Sequence, residues 1–178
     1  ISALYFKNDI DNYIYLLDSK ETKEEVLVAN HSQRDAEFEG YEFSIGSAFD
    51  LYQGELAVSV GTDSVEGKFT DGTFIPRITP SRYIYSFEYT QDDLIIDVSL
   101  TDVDSQTDTA SGEDPTNGFE LLDLSVSKSF DLYGEEDLTL GIFGTNLLDE
   151  IARNHNSYVK NEVPLAGRNI GIKFALSL

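Results

Sequence analysis

The chain has 178 residues, no cysteine and a formal net charge of −21 at pH 7. That charge opposes binding to nucleic acid, whose phosphates require Lys and Arg clusters, and the missing thiols exclude thiol catalysis and Cys-ligated metals. No apolar run approaches the roughly 18 residues of a membrane-spanning helix, but strands that cross a bilayer alternate faces, need only about 9–11 residues each, and escape that test.

Ile1 to Asn8 reads as strand from its first residue, without a basic start, apolar stretch or cleavage site, so Ile1 looks like the edge of a fragment. A short turn is expected at Asn8–Asn12. Tyr13–Val28 then supplies a second strand that runs into a long polar link, Asp18–Asp35. Tyr41, Phe43, Ile45, Phe49 and Leu51 alternate with Glu42, Ser44, Gly46, Ala48 and Asp50, with Ser47 as the polar lapse; this period of two is the signature of a half-buried strand. A short turn at Leu51–Glu55 leads to Leu56, Val58 and Val60, and a long link, Phe69–Ser81, to Tyr83, Tyr85, Phe87 and Tyr89.

After a short turn at Gln91–Asp93 come Leu94, Ile96, Val98 and Leu100, and then the long link Asp102–Gly118. In the next strand Leu122, Leu124, Val126 and Phe130 oppose Ser125, Ser127, Ser129 and Asp131, and Lys128 breaks the apolar phase. A charge facing lipid costs about 2–4 kcal/mol at the midplane and little near the interface, so either Lys128 lies low in the strand and snorkels or a bulge shifts the phase. Beyond a short turn at Tyr133–Asp137, Leu138, Leu140 and Ile142 form a strand, Leu148–Arg168 a long link, and Ile170, Ile172, Phe174, Leu176 and Leu178 a last strand that alternates without exception.

The fold class expected is all-β: an antiparallel transmembrane β-barrel, in part, with about nine strands. Complete bacterial barrels have even strand numbers, so an odd count again indicates a fragment. Connections that are short at one end and long at the other match periplasmic turns and extracellular loops. Phe49-Asp50-Leu51-Tyr52 is echoed by Phe130-Asp131-Leu132-Tyr133, and with Tyr89 these aromatics suggest a girdle at one rim.

Gly144-Thr145-Asn146-Leu147-Leu148-Asp149-Glu150, then Arg153-Asn154-His155-Asn156-Ser157-Tyr158, then Pro164-Leu165-Ala166-Gly167-Arg168-Asn169 before the final strand resemble the C-terminus of TonB-dependent outer-membrane receptors. Tyr5-Phe6-Lys7-Asn8-Asp9-Ile10-Asp11-Asn12-Tyr13-Ile14 resembles a hairpin of that family, and Ile75-Pro76-Arg77-Ile78-Thr79-Pro80-Ser81-Arg82 its Pro-Arg-Ile loop. The pairing of that loop with Arg153 to Tyr158 is most similar to the zinc- or copper-uptake subgroup. Leu178 departs from the family's usual terminal aromatic residue.

The resemblance implies residues 1–178 as the C-terminal part of a plugged barrel of about 22 strands, with the plug domain, the TonB box and the earlier strands absent from this sequence. It implies energy-dependent import at the bacterial outer membrane. The expected partners are outer-membrane lipid, the N-terminal plug domain of the same receptor, TonB reached through that plug, and a metal ion or metal chelate of zinc, copper or siderophore type.

Glu42, Asp50, Glu88 and Asp97 are expected to line the lumen. His155 and His31, both in expected external loops, are the candidate ligands for a transition metal, although no His-x-His or His-x₃-His spacing accompanies them. Asp102, Asp104 and Asp108, with Glu113 and Asp114, offer hard oxygens to Ca²⁺ in what reads otherwise as a solvated loop. Arg153 and Arg168 are candidates to pair with acids or with lipopolysaccharide phosphates. No P-loop, Rossmann glycine run or Gly-x-Ser-x-Gly elbow is present, so neither a cofactor nor catalysis is expected. Two other readings stay open: a soluble secreted β-sandwich binding module, and an outer-membrane barrel of another kind, a porin or a barrel enzyme.

Overall fold

The computed structural model describes residues 1–23, 26–132 and 137–177. Eight strands run in chain order: β1 (Ser2–Lys23), β2 (Val26–Leu51), β3 (Gly54–Phe69), β4 (Arg82–Gln91), β5 (Leu94–Val103), β6 (Phe119–Asp131), β7 (Asp137–Thr145) and β8 (Asn169–Ser177). Each pairs antiparallel with the next in one sheet. Among the described residues β1 and β8 make no contact with each other, so the sheet is an open section of barrel wall with two edges.

The alternating sequences form these strands because the pairing register aligns their apolar phases. Ile172 stands opposite Ile142, Ile142 opposite Val126, Val126 opposite Ile96, Ile96 opposite Tyr89, Tyr89 opposite Leu56 and Leu56 opposite Phe49. Directly opposed residues share a face, so one apolar row crosses the sheet from β8 to β2. In β8 Ile170, Ile172, Phe174 and Leu176 remain between 56 % and 71 % exposed. A sandwich would bury this face under a second sheet, and among the described residues there is a single sheet. Glu42, Asp50, Glu88 and Asp97 stand in the alternate phase, on the opposite face.

Two hairpins close at one end of the sheet through residues 52–53 and 92–93, and long connections, 70–81, 104–118 and 146–168, leave from the other. Tyr52 (φ 55°) and Asp92 (φ 48°) open the two short turns, a left-handed conformation suited to the twist of hairpin strands. Phe49, Tyr89 and Phe130 gather on the apolar face near the short-turn end. The expected turn at Tyr133–Asp137 with Tyr133 itself, and the closing residue Leu178, lie outside the described residues.

Among the described residues there are eight strands where about nine were expected. Ile1–Asn8 and Tyr13 onward belong to a single strand, β1, of 22 residues. The Asn-Asp signal at Asn8–Asn12 marks a bulge rather than a turn: the register jumps between Ile10, opposite Ala36, and Tyr13, opposite Arg34, so that Asp11 and Asn12 face Asp35 alone. Asn12 takes φ 55° and its N–H donates to the Asp35 carboxylate at 2.8 Å. The link expected over Asp18–Asp35 is likewise mostly strand, with β1 and β2 paired as far as Lys23 and Val26. Lys128 stays in phase, opposite Leu94, the first residue of β5 beyond the short turn, and opposite Leu140. It therefore sits low, with its ammonium 5.4 Å from the Phe130 ring centre.

Candidate functional site

The buried residues of the chain gather at the long-connection end, in a crown that stands on the sheet. Ile75 (1 % exposed) packs with Phe69 and Ala36, and Tyr13, Tyr15, Phe38 and Ile78 close around them. Loop 70–81 reaches this core by folding back on β3: the Ile75 N–H donates to the Gly67 carbonyl at 3.0 Å. Gly67 permits the approach, since a Cβ there would lie 3.0 Å from both Ile78 Cδ1 and Phe38 Cε1. The Ile75–Ile78 segment is thus an anchor whose two isoleucines pack at the core while Arg77, at φ 62°, reaches across to the neighbouring loops.

Glu113 is the centre of those loops. Its side chain is 6 % exposed and lies 3.1 Å from both Lys160 Nζ and His155 Nε2. The backbone N–H groups of Arg77, at 3.0 Å, and Ala110, at 3.2 Å, also donate to this carboxylate. Arg77 in turn donates from Nη2 to the Leu16 carbonyl of β1 at 3.0 Å and stacks 3.9 Å from the Tyr158 ring centre. Three loops and the β1–β2 hairpin therefore meet through one carboxylate and one guanidinium. Around this centre Asn156 Nδ2 donates to Thr79 Oγ1 at 2.8 Å, Asn161 Nδ2 to Asp114 at 2.7 Å and Gln106 Nε2 to the Ile78 carbonyl at 3.1 Å.

His155 is 2 % exposed, and its Nδ1 lies 2.9 Å from Thr116 Oγ1. A neutral ring with its proton on Nε2 satisfies both neighbours: Nε2–H donates to Glu113 and Nδ1 accepts from the threonine hydroxyl. Burial, and then the charge of Lys160, hold the ring below its ordinary value of 6.5 against the opposing pull of Glu113.

The other recognised segments also act as fasteners. Asn146, 4 % exposed, donates from Nδ2 to the carbonyls of Glu150 at 2.9 Å and Ala166 at 3.1 Å and accepts from the Glu150 N–H at 2.9 Å. Arg168, at the entry to β8, donates to Asp149 at 3.1 Å, and Arg153 donates to the carbonyls of Lys160 and Asn161.

The remaining candidates do not converge. His31 is exposed in β2, opposite Leu16. Asp102 belongs to β5, opposite Tyr83, Asp104 turns the chain with an N–H bond to the Ser81 carbonyl, and the Asp108 N–H is held by Gln106. Among the described residues no three His, Asp or Glu side chains gather as a metal cage. Reading the acidic loop as solvated is corrected for Glu113, which is buried and tied to Lys160, 47 residues away. Lys160 and Thr116 carried no sequence signal, because their partners are remote in the chain.

A family model described as TonB dependent receptor-like, beta-barrel matches residues 1–147. No curated protein sequence matches significantly. Among solved structures the chain is similar to that of "Copper transporter OprC", with a TM-score of 0.78 and 18 % identity, over 97 % of this chain and 28 % of that one. At that identity the likeness carries the fold alone, and the chain spans little more than a quarter of that protein.

Proposed function

The chain belongs to the TonB-dependent receptor β-barrel family, and we propose that it forms the C-terminal wall and part of the external crown of an outer-membrane uptake receptor. The observation that carries this reading is the apolar row from Phe49 to Ile172, continuous across seven strands of an open sheet, exposed at Phe49, Ile142 and Ile172 and half-exposed between them. Lipid is the solvent that covers such a face, whereas the acid-bearing opposite face suits a hydrated lumen and the plug domain. Strands β1 to β3, of 22, 26 and 16 residues, exceed the about 9–11 that a bilayer needs. Their excess carries the crown above the membrane on the external side, where cargo arrives. The family places coupling to TonB in the plug.

The proposed cargo is a metal ion or metal chelate. It is supported by the resemblance of the Pro-Arg-Ile and Arg153–Tyr158 segments to the zinc- and copper-uptake subgroup, and by the fold shared with a copper transporter. His31 and the carboxylates Asp102, Asp104 and Asp108 are the exposed or half-exposed groups that this chain offers to such cargo. His155 could ligate only after leaving Thr116 and Glu113. The test is uptake of zinc, copper and ferric siderophores by cells carrying the complete receptor, with and without TonB. TonB-dependent accumulation of one class supports the reading, and equal accumulation without TonB refutes it. Unchanged zinc and copper uptake by His155→Ala removes that residue from cargo binding.

A further inference from the structure

A buried carboxylate that accepts from one ammonium, one neutral imidazole and two backbone amides costs desolvation energy unless every group around it is placed to repay it. Glu113 meets that condition only while three loops stay together: Arg77 comes from loop 70–81, Ala110 from its own loop, and Lys160 and His155 from loop 146–168. No two of these segments are adjacent in sequence. If any one withdraws, a charge is left buried without its partner.

We propose that Glu113, His155 and Lys160 form an acid-sensitive latch that locks loops 70–81, 104–118 and 146–168 into one rigid lid, and that protonation of His155 releases it. At neutral pH the buried charges are the Glu113 anion and the Lys160 cation, with Arg77 directed away to Leu16 and Tyr158 and His155 neutral. Arg34, across a small cleft from Glu113, is held by Asp71. A proton on His155 places a second cation 3.4 Å from Lys160 Nζ and removes the acceptor that Thr116 uses.

The sign follows from linkage. The ring is held below 6.5 in the closed lid, so the open lid binds the proton better, and closure is favoured above that pH and lost as pH falls below it. The latch rests on the geometry of these loops and the proton affinity of His155, and stands apart from the uptake reading.

The experiment places spin labels on cysteines replacing Ser111 and Glu162 in the full-length receptor; both sites are exposed and this chain has no cysteine of its own. The latch gives one narrow inter-label distance at about pH 8 and loss of that narrow peak below about pH 6.5. His155→Gln, which cannot take up the proton, should keep the narrow peak to lower pH. Glu113→Gln, which keeps the shape without the anion, should lose it already at about pH 8. Heat-modifiable gel mobility reports that the barrel is intact in each variant. A wild-type distribution unchanged down to about pH 4.5, or identical pH profiles for wild type and His155→Gln, overturns the proposal. Should His155→Gln be broad at every pH, the wild-type midpoint decides: below 6.5 supports the latch and above it refutes it.

Discussion

Ile172→Arg puts a charge into the apolar row at the height where a bilayer resists it most. β8 has nine residues, Asn169 to Ser177; at about 3.3 Å per residue and a tilt of about 40° it rises about 20 Å through the membrane. Ile172 is the neighbour of the central Lys173, about 2.5 Å from mid-height on the same rise, and points to the opposite, lipid-facing side. An arginine at that depth costs about 2–4 kcal/mol, against about 0–1 near the interface. In water, replacing a side chain that is 65 % exposed would change stability by no more than about 0.5 kcal/mol. Reversible urea unfolding of the full receptor in lipid vesicles, with Leu176→Arg as the near-interface control, separates the two. A loss below about 1 kcal/mol at Ile172, or equal losses at both sites, would refute the assignment of this face to lipid.

Three further outcomes test the crown and its footing. Asn146→Ala leaves buried carbonyls and an N–H without partners and forces alanine into φ 48°; a local cost of about 1–3 kcal/mol is expected, read as faster tryptic cleavage at Arg153. Ile75→Ala should cost the loop 70–81 anchor about 2–5 kcal/mol, seen as accelerated amide exchange over residues 67–75, with slow exchange retained in β6 to β8. Gly40→Val brings a Cβ to within 2.4 Å of the Ser64 carbonyl oxygen and 2.7 Å of Phe6, so β2 must part from its neighbours. A lower unfolding midpoint is expected, corresponding to about 1–3 kcal/mol.

The wall was legible in the sequence because its determinants are local. Period two names the faces and excludes one-residue slips, and the observed register keeps Tyr89, Ile96, Val126 and Ile142 in a row. The errors occurred where one local signal serves two structures. Asp and Asn at positions 11 and 12 announce a reversal or a bulge equally well, and the choice lay with Asp35, 23 residues on, whose side chain captures the Asn12 N–H. The crown was legible only as segments. Pro-Arg-Ile and Arg-Asn-His were visible as motifs, yet nothing near Glu113 announces that its partners stand 36 and 47 residues away. A buried carboxylate and a solvated one have the same sequence neighbourhood, and only the tertiary contact tells them apart.

The chain's charge follows the same division. Its −21 includes acids on the inner face and in the loops, and Asp102 and Glu120 at the long-connection end of the outer phase, while the apolar face nearer the short turns carries Lys128 as its charged lapse, low enough to reach the interface. An open sheet with one dry and one acidic face gains little from closing on itself in water, since a strand pair without a covered apolar side is marginal. Lipid on one side and a hydrated, partnered lumen on the other remove both costs at once, so the wall needs no interior core. The crown has water around it instead and must supply its own. It does so with Ile75, Phe69 and Ala36, and with a charged cluster whose burial is favourable only when the loops are assembled. Loop order is thereby tied to protonation, while the wall beneath answers to the bilayer. Acidification that loosens the crown should accordingly leave the resistance of Ile172 to charge unchanged.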